Sequence, residues 1–164
     1  MVGKRIVGLD PGSHHLGLAC IEIKGKSITL IHAETLSPPG AEAFFDRLHW
    51  ISNSLRRKVE ELHPAEVALE DTFFSNNAQS AFRLGMARGV AFASCLAPGI
   101  RIFEYAPSRI KLVVTGYGRA DKTQVKKMVG LILGKPIDLG FDATDAVAVA
   151  LCHAFTLRLE PGNT

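Results

Sequence analysis

Four acidic residues stand where chemistry could be done. Asp10 closes the apolar run Arg5-Ile6-Val7-Gly8-Leu9-Asp10, and Glu70 closes the run Glu66-Val67-Ala68-Leu69-Glu70. Asp142 and Asp145 stand three apart at the start of a long helical stretch, so they share one helix face with Cβ atoms about 5–6 Å apart. Functional groups of open α/β sheets gather at the carboxyl ends of strands, so Asp10 and Glu70 meet if their strands are parallel neighbours. Four partly buried carboxylates cannot all stay ionised unless cations balance them. Hard divalent ions with oxygen ligands resolve that conflict, magnesium being the usual one. Two ions about 4 Å apart suit phosphodiester displacement, because they stabilise the attacking and leaving oxygens. Taken singly, each acid has an ordinary role. Asp10 before Pro11-Gly12 is a turn former, Glu70 and Asp71 mark a strand emerging into water, and Asp142 and Asp145 suit a helix N-terminus. Only their joint placement points to metal-assisted chemistry.

The distribution of the +3 net charge bears on the substrate. Residues 1–100 carry ten basic and ten acidic side chains. Residues 101–135 carry eight basic (Arg101, Arg109, Lys111, Arg119, Lys122, Lys126, Lys127, Lys135) against two acidic, and residues 136–164 one basic against four acidic. A lysine-rich solvated face accounts for such a run by itself; beside four acids it reads as a polyanion-binding surface next to a cation site. Phe73 and Phe74 follow Glu70 closely, where an aromatic can stack on an unpaired base or join the core. His153 lies eleven residues beyond Asp142, about 16 Å along a helix, and is expected in the core or an interface. His14 and His15 follow Asp10, but their spacing does not support ligation.

The elements that must position these groups follow from periodicity and breakers. Strands are expected over Arg5–Asp10, Leu16–Ile23 and Ser27–Glu34, the last two joined by Lys24-Gly25-Lys26, so the first three form an antiparallel meander. Phe44, Leu48, Ile51, Leu55, Val59 and Leu62 recur every three or four residues before Pro64, the stripe of an amphipathic helix. Glu66–Glu70 and Ile100–Tyr105 are further strands; Ala78–Leu96, Lys122–Leu133 and Asp142 to about Leu159 are helices. From Leu84 onward the helix Ala78–Leu96 is apolar on nearly every side, which predicts packing against two surfaces, one of them a second subunit. The order predicts a mixed five-stranded α/β sheet covered on both faces. The 164 residues fit one domain, 1–164. A composition 47% hydrophobic and 21% charged excludes disordered, collagen-like and mucin-like classes. No apolar run approaches a membrane span, and the short apolar stretch ended by Asp10 is not a signal peptide. Cys20, Cys95 and Cys152 are widely spaced in apolar surroundings, so buried thiols and a cytoplasmic location are expected.

The ordered set of motifs resembles the RuvC family of Holliday-junction resolvases. It comprises Ile6-Val7-Gly8-Leu9-Asp10-Pro11-Gly12-Ser13, Ala68-Leu69-Glu70 with Phe73, Asn77-Ala78-Gln79-Ser80-Ala81 and Leu84-Gly85-Met86-Ala87-Arg88-Gly89. Phe103-Glu104-Tyr105-Ala106-Pro107, Lys111, Val114-Thr115-Gly116-Tyr117-Gly118, Lys122 with Gln124-Val125 and Asp142-Ala143-Thr144-Asp145-Ala146 continue it. The resemblance implies an RNase H-like fold and a homodimer, joined through the helix Ala78–Leu96, that resolves four-way DNA junctions by paired symmetric nicks. It places the catalytic and metal-binding acids at Asp10, Glu70, Asp142 and Asp145, holding two Mg2+ (or Mn2+) ions. The nicks would leave a 5′-phosphate and a 3′-hydroxyl. It sets Lys111 and Lys122 near the cleaved strand and Phe73 against bases. Phe74, Arg83, Arg88, Arg119 and Lys126 are further candidate DNA contacts, and a RuvA–RuvB branch-migration complex is the implied partner. Two departures matter: Asp71 adds a carboxylate beside Glu70, and the Asp142 position is histidine in some relatives. A non-catalytic branched-DNA-binding module and an RNase H-like nuclease for another nucleic acid are the alternatives. A sugar-kinase-type phosphotransferase would need two such domains, for which this chain is too short.

Overall fold

Hydrophobic runs that are buried on both faces belong in the middle of a sheet, and the two acid-terminated runs are found there. A computed structural model describes residues 3–12, 14–40, 43–71 and 77–159. Strands β1 (Lys4–Pro11), β2 (Leu16–Lys24) and β3 (Ser27–Leu36) lead into helix α1 (Phe44–Leu62). Then follow β4 (Glu66–Glu70), α2 (Ala78–Cys95), β5 (Arg101–Tyr105), α3 (Pro107–Thr115), α4 (Lys122–Ile132) and α5 (Phe141–Leu159). The sheet order is β3-β2-β1-β4-β5. Strands β1, β2 and β3 pair antiparallel, whereas β4 runs parallel to β1 and β5 parallel to β4. This is the mixed sheet expected from the pattern.

Strand alternation sorts the sheet into two cores. Val7, Leu9, Leu18, Cys20, Val67 and Leu69 pack with Ile51, Leu55 and Val59 of α1 and Ala91 and Cys95 of α2. Ile6, Ala19, Ile21 and Ala68 face the other way, onto α3, α4 and α5. Asp10 shares the parity of Ile6 and Gly8, and Glu70 that of Ala68, so both acids belong to the α5 face. The register Gly8–Ala68 and Leu9–Leu69 brings the two strand ends level.

The α5 helix comes very close to the sheet where two glycines lie beneath it. A Cβ on Gly8 would stand 2.2 Å from the Ala146 carbonyl oxygen, and one on Gly17 would stand 2.1 Å from that of Asp142. Glycine is therefore required at both positions for the helix to rest there. Ala146 and Ala150 complete the seam from the helix side.

One helix is additional to those expected, and the second face of another is open in the single chain. Helix α3 was not anticipated, although Pro107 opens it and Gly116, at φ 78°, closes it. Helix α2 buries Ala87, Ala91, Ser94 and Cys95 on one side only. Phe82, Phe92 and Leu96 stay exposed, with open space above Gly85 and Gly89. The three cysteines are buried and free, as expected, and burial pushes the Cys95 thiol up to about 12.

Candidate active site

Asp10, Glu70 and Asp145 line one cavity with Lys111 and Lys122, over an apolar floor of Pro107, Ile110, Val125 and Ala148. Each polar side chain is delivered by regular structure. Asp10 and Glu70 come from adjacent parallel strands, Asp145 from the first turns of α5, Lys111 from α3 and Lys122 from the start of α4. The α4 start is fixed by a reciprocal capping box: Asp121 Oδ1 accepts from Gln124 N (2.8 Å), and Asp121 N donates to Gln124 Oε1 (2.9 Å).

The electrostatics are those of an anionic site short of cations. Burial, then the charges of Glu70 and Asp145, a hydrogen bond with Glu70 and the charge of Asp142 push the Asp10 carboxyl up to about 8. Burial likewise raises Glu70, with Asp145 adding to it and the Asp10 hydrogen bond, Lys111 and Lys122 opposing. Asp142 acts on Asp10 from the helix tip, though it is not part of the cavity wall. Among the described residues, no three acids, histidines or cysteines close around a single ion position. Lys122 stands among the acids instead, its Nζ 3.1 Å from Asp145 Oδ2. The hydrogen bond and charge of Asp145, reinforced by Asp10 and Asp142, hold its ammonium above the usual lysine range. Lys122 thus supplies positive charge that the acids lack among themselves, and the raised carboxyls of Asp10 and Glu70 reflect how poorly the acids tolerate one another, which fits a donor set made for divalent cations.

The other candidates disperse. Lys126 donates to the Leu139 carbonyl, tying α4 to the segment before α5, and shares the Phe141 ring with Lys122 at 5.7 and 5.9 Å. Arg119 is exposed in the turn between α3 and α4. Arg83 is exposed with its guanidinium 5.3 Å from the Phe44 ring. Arg88 is drawn between Asp71 (2.6 Å) and Glu104, a neutralised position poorly suited to a phosphate contact. The same pairing turns Asp71 toward α2. Phe73 and Phe74 lie outside the described residues. His14 and His15 are exposed, and His15 Nδ1 pairs with Ser37 Oγ at 2.9 Å.

The sequence pattern did not announce a second polar cluster at the other end of α5. Glu66 is 1% exposed. Its carboxylate meets Lys4 Nζ at 2.8 Å, the Arg101 guanidinium, and His153 Nε2 at 2.9 Å. His153, fully buried, also bonds Tyr105 OH through Nδ1 at 2.6 Å and packs on the Phe103 ring. A His153 ring beside strand-borne acid and tyrosine is the core histidine foreseen, but the network joins residues up to 87 apart and has no local signature.

Comparison with known proteins decides the family. The profile described as Crossover junction endodeoxyribonuclease RuvC matches residues 6–153. The chain belongs to the RuvC family. The RuvC of Trichlorobacter lovleyi is 42% identical over 160 residues, covering 96% of this chain and 90% of that one. The RuvC of Halorhodospira halophila is 43% identical over 150 residues, covering 92% and 89%. Among solved structures, Thermus thermophilus RuvC in complex with Holliday junction substrate superposes with a TM-score of 0.85 at 31% identity, over 95% of this chain and 96% of that one. The yeast mitochondrial resolvase Ydc2 shares the fold at 15% identity and a TM-score of 0.66. RuvC proteins are crossover junction endodeoxyribonucleases, hydrolases that depend on metal, and the mixed sheet with its helices is their RNase H-like fold.

Proposed function

We propose that this protein resolves four-way DNA junctions in recombination and repair, acting as a homodimer that makes paired, symmetric nicks. The observation that carries the reading is the cavity in which Asp10, Glu70 and Asp145 face Lys111 and Lys122, in a chain of the RuvC family. Asp10, Glu70, Asp142 and Asp145 would hold two Mg2+ ions, for which Mn2+ can substitute. When bound, these supply an activated water and charge neutralisation for phosphodiester hydrolysis, leaving 5′-phosphate and 3′-hydroxyl ends. The chain's own residues do the rest. Lys111 and Lys122, on separate helices at the cavity rim, attract and seat the scissile phosphate. The apolar floor of Ile110, Val125 and Ala148 limits water around the acids and strengthens every charge interaction among them. Release of Lys122 from Asp145 frees one acid and one ammonium together, the first for a cation and the second for the phosphate.

Two nicks need two sites. The exposed Phe82, Phe92 and Leu96 of α2, flanking the bare backbone at Gly85 and Gly89, support a homodimer through the helix Ala78–Leu96. Arg83, Arg119 and the 72–76 segment with Phe73 and Phe74 are the proposed outer DNA contacts. A cytoplasmic location and action beside a RuvA–RuvB complex follow from the family; no helix among the described residues is long and apolar enough to cross a membrane. The deciding assay incubates the protein and Mg2+ with a synthetic four-way junction and with linear duplex of the same sequence. Symmetric nicking of the junction alone is expected; equal cutting of both would count against the reading.

A further inference from the structure

We propose that Glu66, His153 and Tyr105 form a polar pin whose task is to set the position of α5, and with it the acids at the helix tip, against the two strand-end acids. The inference rests on the reading of Asp10, Glu70, Asp142 and Asp145 as a metal-holding centre and adds positioning residues to it.

Between the two polar clusters α5 meets the sheet through Gly8, Gly17, Ala146 and Ala150. At these small residues the helix approaches closely without interlocking side chains, and the apolar contacts beside them, Ile6 and Ile21 with Val147 and Leu151, are not directional. Directional hydrogen bonds supply what the seam lacks. Eight residues of helix separate Asp145 from His153, about 12 Å, and four residues of strand separate Glu70 from Glu66, about 13 Å. The pin and the catalytic acids therefore sit at matching distances on the two elements, and a slip at one end is a slip at the other.

The hydrogen-bond roles in the pin follow from its contacts and its burial. Burial holds His153 below the usual histidine range, against the opposing pull of Glu66. Burial works to raise Glu66, but Lys4 and His153 outweigh it and its carboxyl ends lowered. A neutral imidazole beside an ionised carboxylate must donate from Nε2 to Glu66 Oε2 and accept at Nδ1 from the Tyr105 hydroxyl. Each group has one role, so the helix has one seat. Tyr105 extends the connection: its carbonyl accepts from Asp71 N at 2.8 Å, next to Glu70.

The test compares Tyr105→Phe, which deletes one hydroxyl, with His153→Leu and with His153→Gln, whose amide can donate to Glu66 and accept from Tyr105. For each, Mg2+ and Mn2+ binding is measured by calorimetry without DNA, and kcat, junction affinity and the Mg2+ concentration for half-maximal rate are measured with it. Losses of metal affinity and kcat of about tenfold for Tyr105→Phe and up to about a hundredfold for His153→Leu are expected. Junction affinity should be unchanged, and His153→Gln should recover most of the loss. Variants that lose only thermal stability, or only junction affinity, while binding metal and cleaving like wild type would overturn the pin; because Tyr105→Phe barely changes shape, it decides even if His153→Leu does not fold. Failure of the wild-type protein to bind either ion would bring down the metal-centre reading itself, and the pin with it.

Discussion

Glu66 and Glu70 sit four residues apart on the same face of β4, both covered by α5, and they end in opposite electrostatic states. At Glu66 burial is overcome: Lys4, Arg101 and His153 converge on the carboxylate and its pKa falls. At Glu70 burial wins, the nearest acids share the same space, and the pKa rises. The more deeply buried of two identical residues is thus the one whose carboxyl is lowered, and the difference lies in whether the chain supplies the partner. One end of the helix is closed by the protein's own cations. The other is left to be completed from outside, which is what a reaction centre for metal and phosphate requires.

The comparison is broken most severely by removing charge at the open end. Asp10→Asn should slow junction nicking at least about a thousandfold, about 4 kcal/mol in barrier, while junction binding measured by gel shift stays near wild type. Undiminished nicking would reject Asp10 as a metal ligand. The seam comes next. Gly17→Ala places a methyl against the Asp142 carbonyl, and should cost about 1–3 kcal/mol in urea unfolding and about a hundredfold in kcat through the displaced helix tip. At the closed end, Glu66→Gln should destabilise by about 1–3 kcal/mol, because it removes the charge facing Lys4 and Arg101 and turns one of the two accepting oxygens into an NH2 donor.

The two ends should also answer pH with opposite signs. Asp10, raised from 3.8 to about 8, keeps its proton in the folded metal-free protein where the unfolded chain has lost it. Its contribution is whole below 3.8 and is lost as pH rises through about 8. Glu66 and His153, both lowered, contribute fully above their ordinary pKa values and lose their contributions as pH falls through the depressed ones. Thermal melts of the metal-free protein should therefore decline on the alkaline side in a way that Asp10→Asn or added Mg2+ removes, while the acid-side decline responds to Glu66→Gln. An alkaline slope untouched by Asp10→Asn would contradict the charge account. The smallest effect concerns DNA: Lys122→Ala should reduce the salt slope of junction affinity by about 0.9. Lys126→Ala should flatten it likewise, since the Leu139 carbonyl leaves its ammonium charged, whereas Arg101→Ala, at the closed end, should leave the slope near wild type.

What could be read in advance was what has a local signature. The acid-ended apolar runs gave β1 and β4, the three-residue spacing set Asp142 and Asp145 on one helix tip, and the stripe Phe44 to Leu62 marked α1 to its ends. Helix α3 escaped because nine residues hold only two turns of periodicity, with Ile110 and Val114 alone buried. Nothing local marks Gly8 and Gly17, since their necessity lies in a helix more than a hundred residues later. The Glu66 cluster was invisible for the same reason. Arg88 looked like a phosphate contact until the fold set it between two acids.

All four acids ride on strands or on the helix that the glycine seam presses against the sheet. Their spacing is therefore inherited from backbone hydrogen bonding and does not wait on any loop to settle. Residues of the α3–α4 turn can be changed while the acids hold still, so contacts at the rim and bond breaking can be tuned separately by engineering one without retuning the other.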